Sequence, residues 1–325
     1  MDGHFSIILT RMDEQNARVF LPFNLLVAIV AVSTASTFIR FAQAEGMPSL
    51  VIAAVRLTIA ALILSPVAWI RYHAELMNLT RRDLILSLAS GLFLAIHFAT
   101  WISSLEYTSV ASSVVLVSTT PLWVAILSGL FLKEQLSRLA IAGLVLALVG
   151  GAIIGLAEAC TVQNGIECSQ LGQVLKGRAL WGNFLALCGA LAVSGYLFIG
   201  RTVRAKMSLV PYIFLVYGIS AVVLIAFMLT AGKTPLGYSS TAYGWILLLA
   251  VVPQLIGHSM FNWLLKYLSA TLVAVTTLAE PIGSAALAYV FLKESPSAPV
   301  LIGGTLILLG IFLTSRKNND SLADQ

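Results

Sequence analysis

LEYTSVASSVVLVSTTPLWVAILSGLFLKE, residues Leu105 to Glu134, aligns without a gap on LKYLSATLVAVTTLAEPIGSAALAYVFLKE, residues Leu265 to Glu294, with 11 of 30 positions identical. Both copies end in Phe-Leu-Lys-Glu, at Phe131 to Glu134 and at Phe291 to Glu294. The register continues past them, where Gly143, Leu146, Leu148 and Gly150 fall opposite Gly303, Leu306, Leu308 and Gly310. A shift of 160 residues therefore superposes one half of the chain on the other. Self-similarity at that period means a duplicated unit, and in a membrane chain an internal repeat points to a transporter.

The setting is a membrane. Hydrophobic residues make up 59% of the 325 and charged residues 10%, against roughly 25% charged in a soluble domain. Apolar runs long enough to cross about 30 Å of hydrocarbon as helices recur ten times, at 22–42, 49–70, 84–103, 109–131, 138–157, 179–200, 208–230, 242–264, 269–291 and 297–315. Long runs with scattered Gly and Pro fit helices and lack the alternation of a membrane barrel. The expected fold is all-α and integral to the membrane.

Lys and Arg flanking the spans collect on the cytoplasmic side. With the N-terminus inside, Arg11, Arg18, Arg71, Arg81, Arg82, Lys133, Arg138, Arg201, Arg204, Lys206, Lys266, Arg316 and Lys317 are cytoplasmic, and Lys176, Arg178, Lys233 and Lys293 lie opposite. That division, 13 against 4, predicts both termini in the cytoplasm. The net charge of +5 follows from it and calls for no nucleic acid. Arg11, Arg18, the apolar run after them and Ala42-Gln43-Ala44 also fit a signal peptide. Its removal would leave nine spans and no partner for the sixth, so the ten-span reading keeps it as the first span.

Five spans per half is an odd number, so the second half enters the membrane from the opposite side and the repeats are inverted. The expected organisation is a cytoplasmic tail at 1–21, a first five-helix repeat at 22–157, an outer linker at 158–178, a second repeat at 179–315 and a tail at 316–325. The linker carries Cys160 and Cys168. In an oxidising compartment they could close a small loop; two free thiols are the equal alternative.

Pro121 to Glu134 (PLWVAILSGLFLKE) and Pro281 to Glu294 (PIGSAALAYVFLKE), with Gly46-Met47-Pro48 ahead of Ala54-Val55-Arg56-Leu57, resemble the two EamA repeats of the drug/metabolite transporter superfamily. The resemblance covers Phe23 to Thr314. The first span departs from it, reading Val32-Ser33-Thr34 where a Trp-Gly pair is common, while Trp181-Gly182 opens the sixth. Membership would imply a carrier working by alternating access, its central cavity walled by both halves, moving small metabolites and in many bacterial members exporting them.

Ionisable groups within a span are costly and mark function by default. Glu280 falls near the middle of the ninth span, opposite Thr120 in the first copy, so the shared scaffold does not require a carboxylate there. It is a candidate proton carrier or anchor for a substrate amine; a frequent Glu-Pro form of the motif is the structural alternative. Arg56, opposite Tyr217 at a shift of 161, could hold a substrate carboxylate or pair with Glu280, or be structural. Arg40 and Arg201, matched at the same shift, read as interfacial anchors. His97 with Trp101, and His258 with Asn262, share helix faces one turn apart, with Trp263 beside them; such faces line a cavity or pack as core. No metal site is expected, for want of ligand spacing.

Pro121, Pro281 and Pro253 interrupt helix hydrogen bonds within spans and are hinge candidates or static kinks. Gly143, Gly150, Gly151, Gly303, Gly304 and Gly310 let the fifth and tenth helices approach closely, within the chain or at a homodimer face.

No Walker loop, Gly-x-Ser-x-Gly elbow or His-Glu-x-x-His pattern occurs, so no enzyme activity and no cofactor are expected, and transport must draw on a gradient or exchange. The expected function is a secondary transporter of a small metabolite, an exporter of amino acids or related compounds in a bacterial inner membrane, with protons as a candidate coupling partner. The alternatives are an uptake carrier or antiporter of the same fold and, from other classes, a non-transporting membrane partner protein or a lipid-processing membrane enzyme.

Overall fold

A computed structural model of the chain describes residues 20–108, 110–131, 136–157, 161–162, 166–167, 177–287, 289–290, 295 and 297–323. The first half holds α1 (Phe20–Ala44), α2 (Ser49–Met77), α3 (Arg81–Ser104), α4 (Val110–Val117), α5 (Thr120–Phe131) and α6 (Arg138–Ala157). The second holds α7 (Gly177–Arg204), α8 (Leu209–Thr230), α9 (Ser240–Leu264), α10 (Ala270–Thr277), α11 (Glu280–Leu287) and α12 (Ala298–Ala323). Between them β1 (Thr161–Val162) and β2 (Ile166–Glu167) pair antiparallel, Thr161 opposite Glu167 and Val162 opposite Ile166. Cys160 and Cys168 lie outside the described residues.

The helices start where the sequence supplies caps. Thr80 accepts from the Asp83 amide at 3.1 Å ahead of α3, and Ser239 and Ser269 do the same for α9 and α10, satisfying donors that the helix leaves open. Among the described residues eight helical stretches, α10 and α11 taken together as one, are long and apolar enough to cross a membrane, while Val115–Phe131, across α4 and α5, and Arg138–Ile154 in α6 are shorter apolar stretches. Large apolar side chains such as Leu62, Ile70, Leu130, Leu229 and Leu301 stand exposed around the perimeter, which suits lipid and not water. The protein is an integral, multi-pass membrane protein. Its main core joins α1, α2, α3, α7, α8 and α9, and a smaller one joins α6 to α10 and α12.

The repeat has a physical seam. A Cβ added at Gly143 would sit 2.6 Å from the Gly310 carbonyl oxygen and one at Gly310 2.6 Å from that of Gly143; Gly150 and Gly303 oppose each other in the same way at 2.5 Å. Only glycine allows such an approach. Since 143 meets 310 and 150 meets 303, α6 and α12 run antiparallel, and because they are equivalent helices the two repeats are inverted. The glycines expected either here or at a homodimer face are used inside the chain.

The spans at 109–131 and 269–291 are not continuous helices: each breaks over two residues, Ser118-Thr119 and Leu278-Ala279, just before the proline pair. Proline has no N–H to give to the carbonyl four residues back. After the first break the Thr120 hydroxyl donates to the orphaned Val117 carbonyl at 2.7 Å. At the second the equivalent residue is Glu280, and among the described residues its side chain makes no such bond to the Thr277 carbonyl. Each break is also met from the other repeat: the Ser33 hydroxyl shares its proton between the Ile29 carbonyl at 2.7 Å and the Glu280 carbonyl at 3.0 Å, and the Ser194 hydroxyl between the Ala190 carbonyl at 2.6 Å and the Thr120 carbonyl at 3.2 Å. Ser33 and Ser194 are matched by the shift of 161, so this pair of bonds obeys the repeat.

Candidate functional site

Between the halves lies a cavity of about 470 Å³. Its wall draws Ser36 and Arg40 from α1, Arg56 from α2, His97 and Trp101 from α3, Thr120 from α5, Tyr196 from α7, His258 and Phe261 from α9, and Glu280, Pro281 and Ser284 from α11. The floor formed by Tyr196, Leu197 and Phe261 is buried, whereas Thr37 and Arg40 at the far end of α1 are exposed. The cavity therefore opens at the Arg40 end and is sealed at the other.

Arg56 is wholly buried. Its Nη2 donates to Gln254 Oε1 at 2.7 Å and its guanidinium lies 4.3 Å from the centroid of the Phe98 ring. Among the described residues Nε and Nη1 have no hydrogen-bond partner. Burying a cation with so few acceptors is costly, and a neutral amide and a ring face offset only part of that cost. The open donors on two edges of the guanidinium leave room for an anionic group. Glu280 does not supply it: the two side chains line the same cavity, yet no hydrogen bond joins them. Glu280 opens α11 and is half-buried in the wall, its carboxylate without a hydrogen-bond partner among the described residues.

His97 and Trp101 stack, with ring centroids 5.6 Å apart and planes 14° from parallel. His97 Nδ1 lies 2.9 Å from the Gly189 carbonyl; a carbonyl only accepts, so Nδ1 carries the proton and Nε2 is left as the acceptor of the neutral ring. Trp101 Nε1 is a buried donor without a partner among the described residues. His258 meets the Phe98 ring edge-on at 5.5 Å. One wall thus offers a flat aromatic surface with a donor and an acceptor, and the others a cation and a carboxylate.

The remaining candidates stand behind this wall. Asn262 Nδ2 donates to the Tyr196 hydroxyl and to the His258 carbonyl, so it orients two cavity residues and does not line the cavity itself. Tyr217 is buried, its hydroxyl 3.1 Å from Ser259 Oγ and 3.4 Å from the Gln254 carbonyl, and it supports the residue that holds Arg56. Trp263 packs on Tyr267 with centroids 4.6 Å apart, away from the cavity. Pro281 lines the cavity, Pro121 is buried in its break, and Pro253 sits where α9 widens into π-helical turns over Ala250–His258. Such turns often accompany functional sites; this one aims Gln254 at Arg56. Sequence reading missed Gln254 and Tyr196. A lone amide beside a proline in an apolar span was the available signal for the first, and a tyrosine in a small-residue stretch said little of the second. Among the described residues no three His, Cys, Asp or Glu side chains cluster as a metal site.

Comparison with family models matches residues 21–156 and 180–316 to the EamA-like transporter family. The chain belongs to that family. Among its relatives, a Pseudomonas aeruginosa protein named pseudopaline exporter CntI is 26% identical over 239 residues, covering 73% of this chain and 77% of the relative. A Bacillus subtilis protein, the uncharacterized transporter YxxF, is 24% identical over 282 residues, covering 84% and 83%. An uncharacterized transporter of Clostridium kluyveri is 25% identical over 309 residues, covering 92% and 94%. A crystal structure superposes with a TM-score of 0.74 at 17% identity, covering 92% of this chain and 98% of the other, a likeness of fold.

Proposed function

We propose that this EamA-like protein is a secondary exporter of a small zwitterionic metabolite, an amino acid or a related compound, working by alternating access. One observation carries the reading: among the described residues a cavity walled by both repeats holds a buried arginine with two unpartnered nitrogens, Nε and Nη1, and, on another wall, a carboxylate without a hydrogen-bond partner. A carboxylate on the substrate would complete Arg56, an amine would meet Glu280, and a flat or apolar side chain would lie against His97 and Trp101. The energy comes from a gradient, with Glu280 carrying the coupled proton. Export is supported by the named exporter among the relatives. The chain crosses the inner membrane ten times, repeats 22–157 and 179–315 joined by an outer linker, with both termini in the cytoplasm, as the division of basic residues favours.

Counterflow of amino acids and their derivatives into proteoliposomes, read at two pH values, tests this. Saturable exchange is expected for substrates bearing both a carboxylate and an amine, and esterifying the carboxylate should abolish it. Saturable exchange only of neutral or purely anionic solutes would overturn the substrate class. No saturable exchange with any solute would overturn the transport reading.

A further inference from the structure

Arg201 and Arg204, at the C-terminal end of α7, close one end of the molecule. Arg201 Nη1 donates to the carbonyls of Leu265 at 2.9 Å and Lys266 at 3.0 Å, just past the end of α9. Arg204 Nε donates to the Asn262 carbonyl at 3.0 Å, and its Nη1 to Met207. The last carbonyls of a helix have no partner within it and sit at the negative end of its dipole, which makes them natural acceptors for guanidinium. This clasp lies at the sealed end of the cavity, next to the floor formed by Tyr196, Leu197 and Phe261.

The repeat places a second set of the same parts at the other end. Arg201 is equivalent to Arg40, and Leu265 and Lys266 are equivalent to Leu105 and Glu106. The two shifts involved, 161 and 160, are the ones that relate the Ser33 and Ser194 bonds to the two helix breaks. Leu105 and Glu106 end α3 as Leu265 and Lys266 end α9. Yet Arg40 is exposed in the cavity wall, and among the described residues it forms no hydrogen bond or ion pair. One clasp is shut and its twin is open, at the end where the cavity is open.

We propose that Arg40 and Arg201 are the two gate clasps of one exchange. When the open end closes, Arg40 donates to the carbonyls of Leu105 and Glu106, and Arg201 releases Leu265 and Lys266, so the cavity is exposed at the Arg201 end. The inference rests on the transport reading for its purpose, but it concerns the two states of the molecule and is measured without a substrate.

Spin labels on cysteines introduced at Ala44 and Ser103 report the open end, and labels at Ala205 and Lys266 report the closed end, in full-length protein lacking its three native cysteines. Arg201→Gln removes charge-assisted bonds from one state only and should shift the ratio of states on the order of tenfold, shortening the first distance and lengthening the second. Arg40→Gln should do the reverse, and Arg40→Gln/Arg201→Gln should return close to the parent distribution. Arg201→Lys, which keeps a donor, serves where Arg201→Gln is poorly folded and should shift the ratio less. Single variants that move both distances in the same sense, or leave both unchanged, would overturn the clasp. Distances that respond as described in a protein with no saturable flux would leave the clasp standing and sink the transport reading instead.

Discussion

Thr120-Pro121 and Glu280-Pro281 hold the same place in two copies of one broken helix, and only the first is chemically closed. There the hydroxyl of Thr120 answers the carbonyl that proline strands, while a serine of the opposite repeat holds the backbone. The second break keeps the serine but exchanges the hydroxyl for a carboxylate facing the cavity. Duplication has preserved the joints and altered the side chains that the joints present. Arg56 against Tyr217 teaches the same: one copy places a cation in the wall and the other a phenol behind it. Substrate chemistry is therefore to be sought where the halves disagree, and mechanics where they agree.

Making the halves alike should break function first. Glu280→Thr copies the first break into the second; we expect a protein that folds and reaches the membrane yet loses exchange about 100-fold or more, the scale of a charged contact or more, measured by counterflow at matched protein density. Glu280→Gln should remove the pH dependence of what exchange remains. Retention of full, pH-dependent exchange in either variant would dissolve the comparison. Arg56→Ala comes next, with KM rising about 10- to 100-fold in initial-rate assays, whereas Tyr217→Phe, at the matched position, should change KM only a few-fold because its hydroxyl acts through Gln254.

Agreement between the halves should show in stability. Gly150→Ala and Gly303→Ala each drive a methyl group toward the facing carbonyl and should destabilise by about 1–3 kcal/mol, to similar extents, in thermal unfolding in detergent. Thr120→Val, which reopens the Val117 carbonyl, should cost about 1 kcal/mol. The smallest effect concerns Cys160 and Cys168, sequence neighbours of the paired Thr161 and Glu167. We propose that they form a disulfide, seen as a mass loss of two hydrogens in a peptide spanning them, and that replacing both leaves exchange as it was.

The sequence disclosed the duplication, the inversion and the helices because each leaves a periodic trace: an offset identity, an odd number of spans, runs of apolar residues. It also singled out Glu280 and Arg56 by the cost of placing a charge in a span, and His97, Trp101 and His258 by helix faces that carry aromatic and polar groups one turn apart, and the structure brings these five to one cavity. The same logic could not separate wall from backing. Asn262, Trp263 and Tyr217 share faces or registers with wall residues, but which side of a helix meets empty space depends on neighbours from the other repeat. Pro121 and Pro281 marked where the two spans are interrupted, but Ser118-Thr119 and Leu278-Ala279, where the helices part, are unremarkable in composition and gave no sign of a two-residue gap. Arg201 read as an anchor at the lipid interface, since no local pattern tells that its acceptors lie more than sixty residues away.

The glycine seam between α6 and α12 also makes the molecule modular. Each half presents to the other the same surface that it receives, so the chain behaves as a tethered pair whose tether need not be intact. Expressed as two separate polypeptides divided between residues 168 and 176, the halves should find each other in the membrane through that mutual fit. Such a split version would allow either half to be mutated, labelled or exchanged for a relative's half on its own.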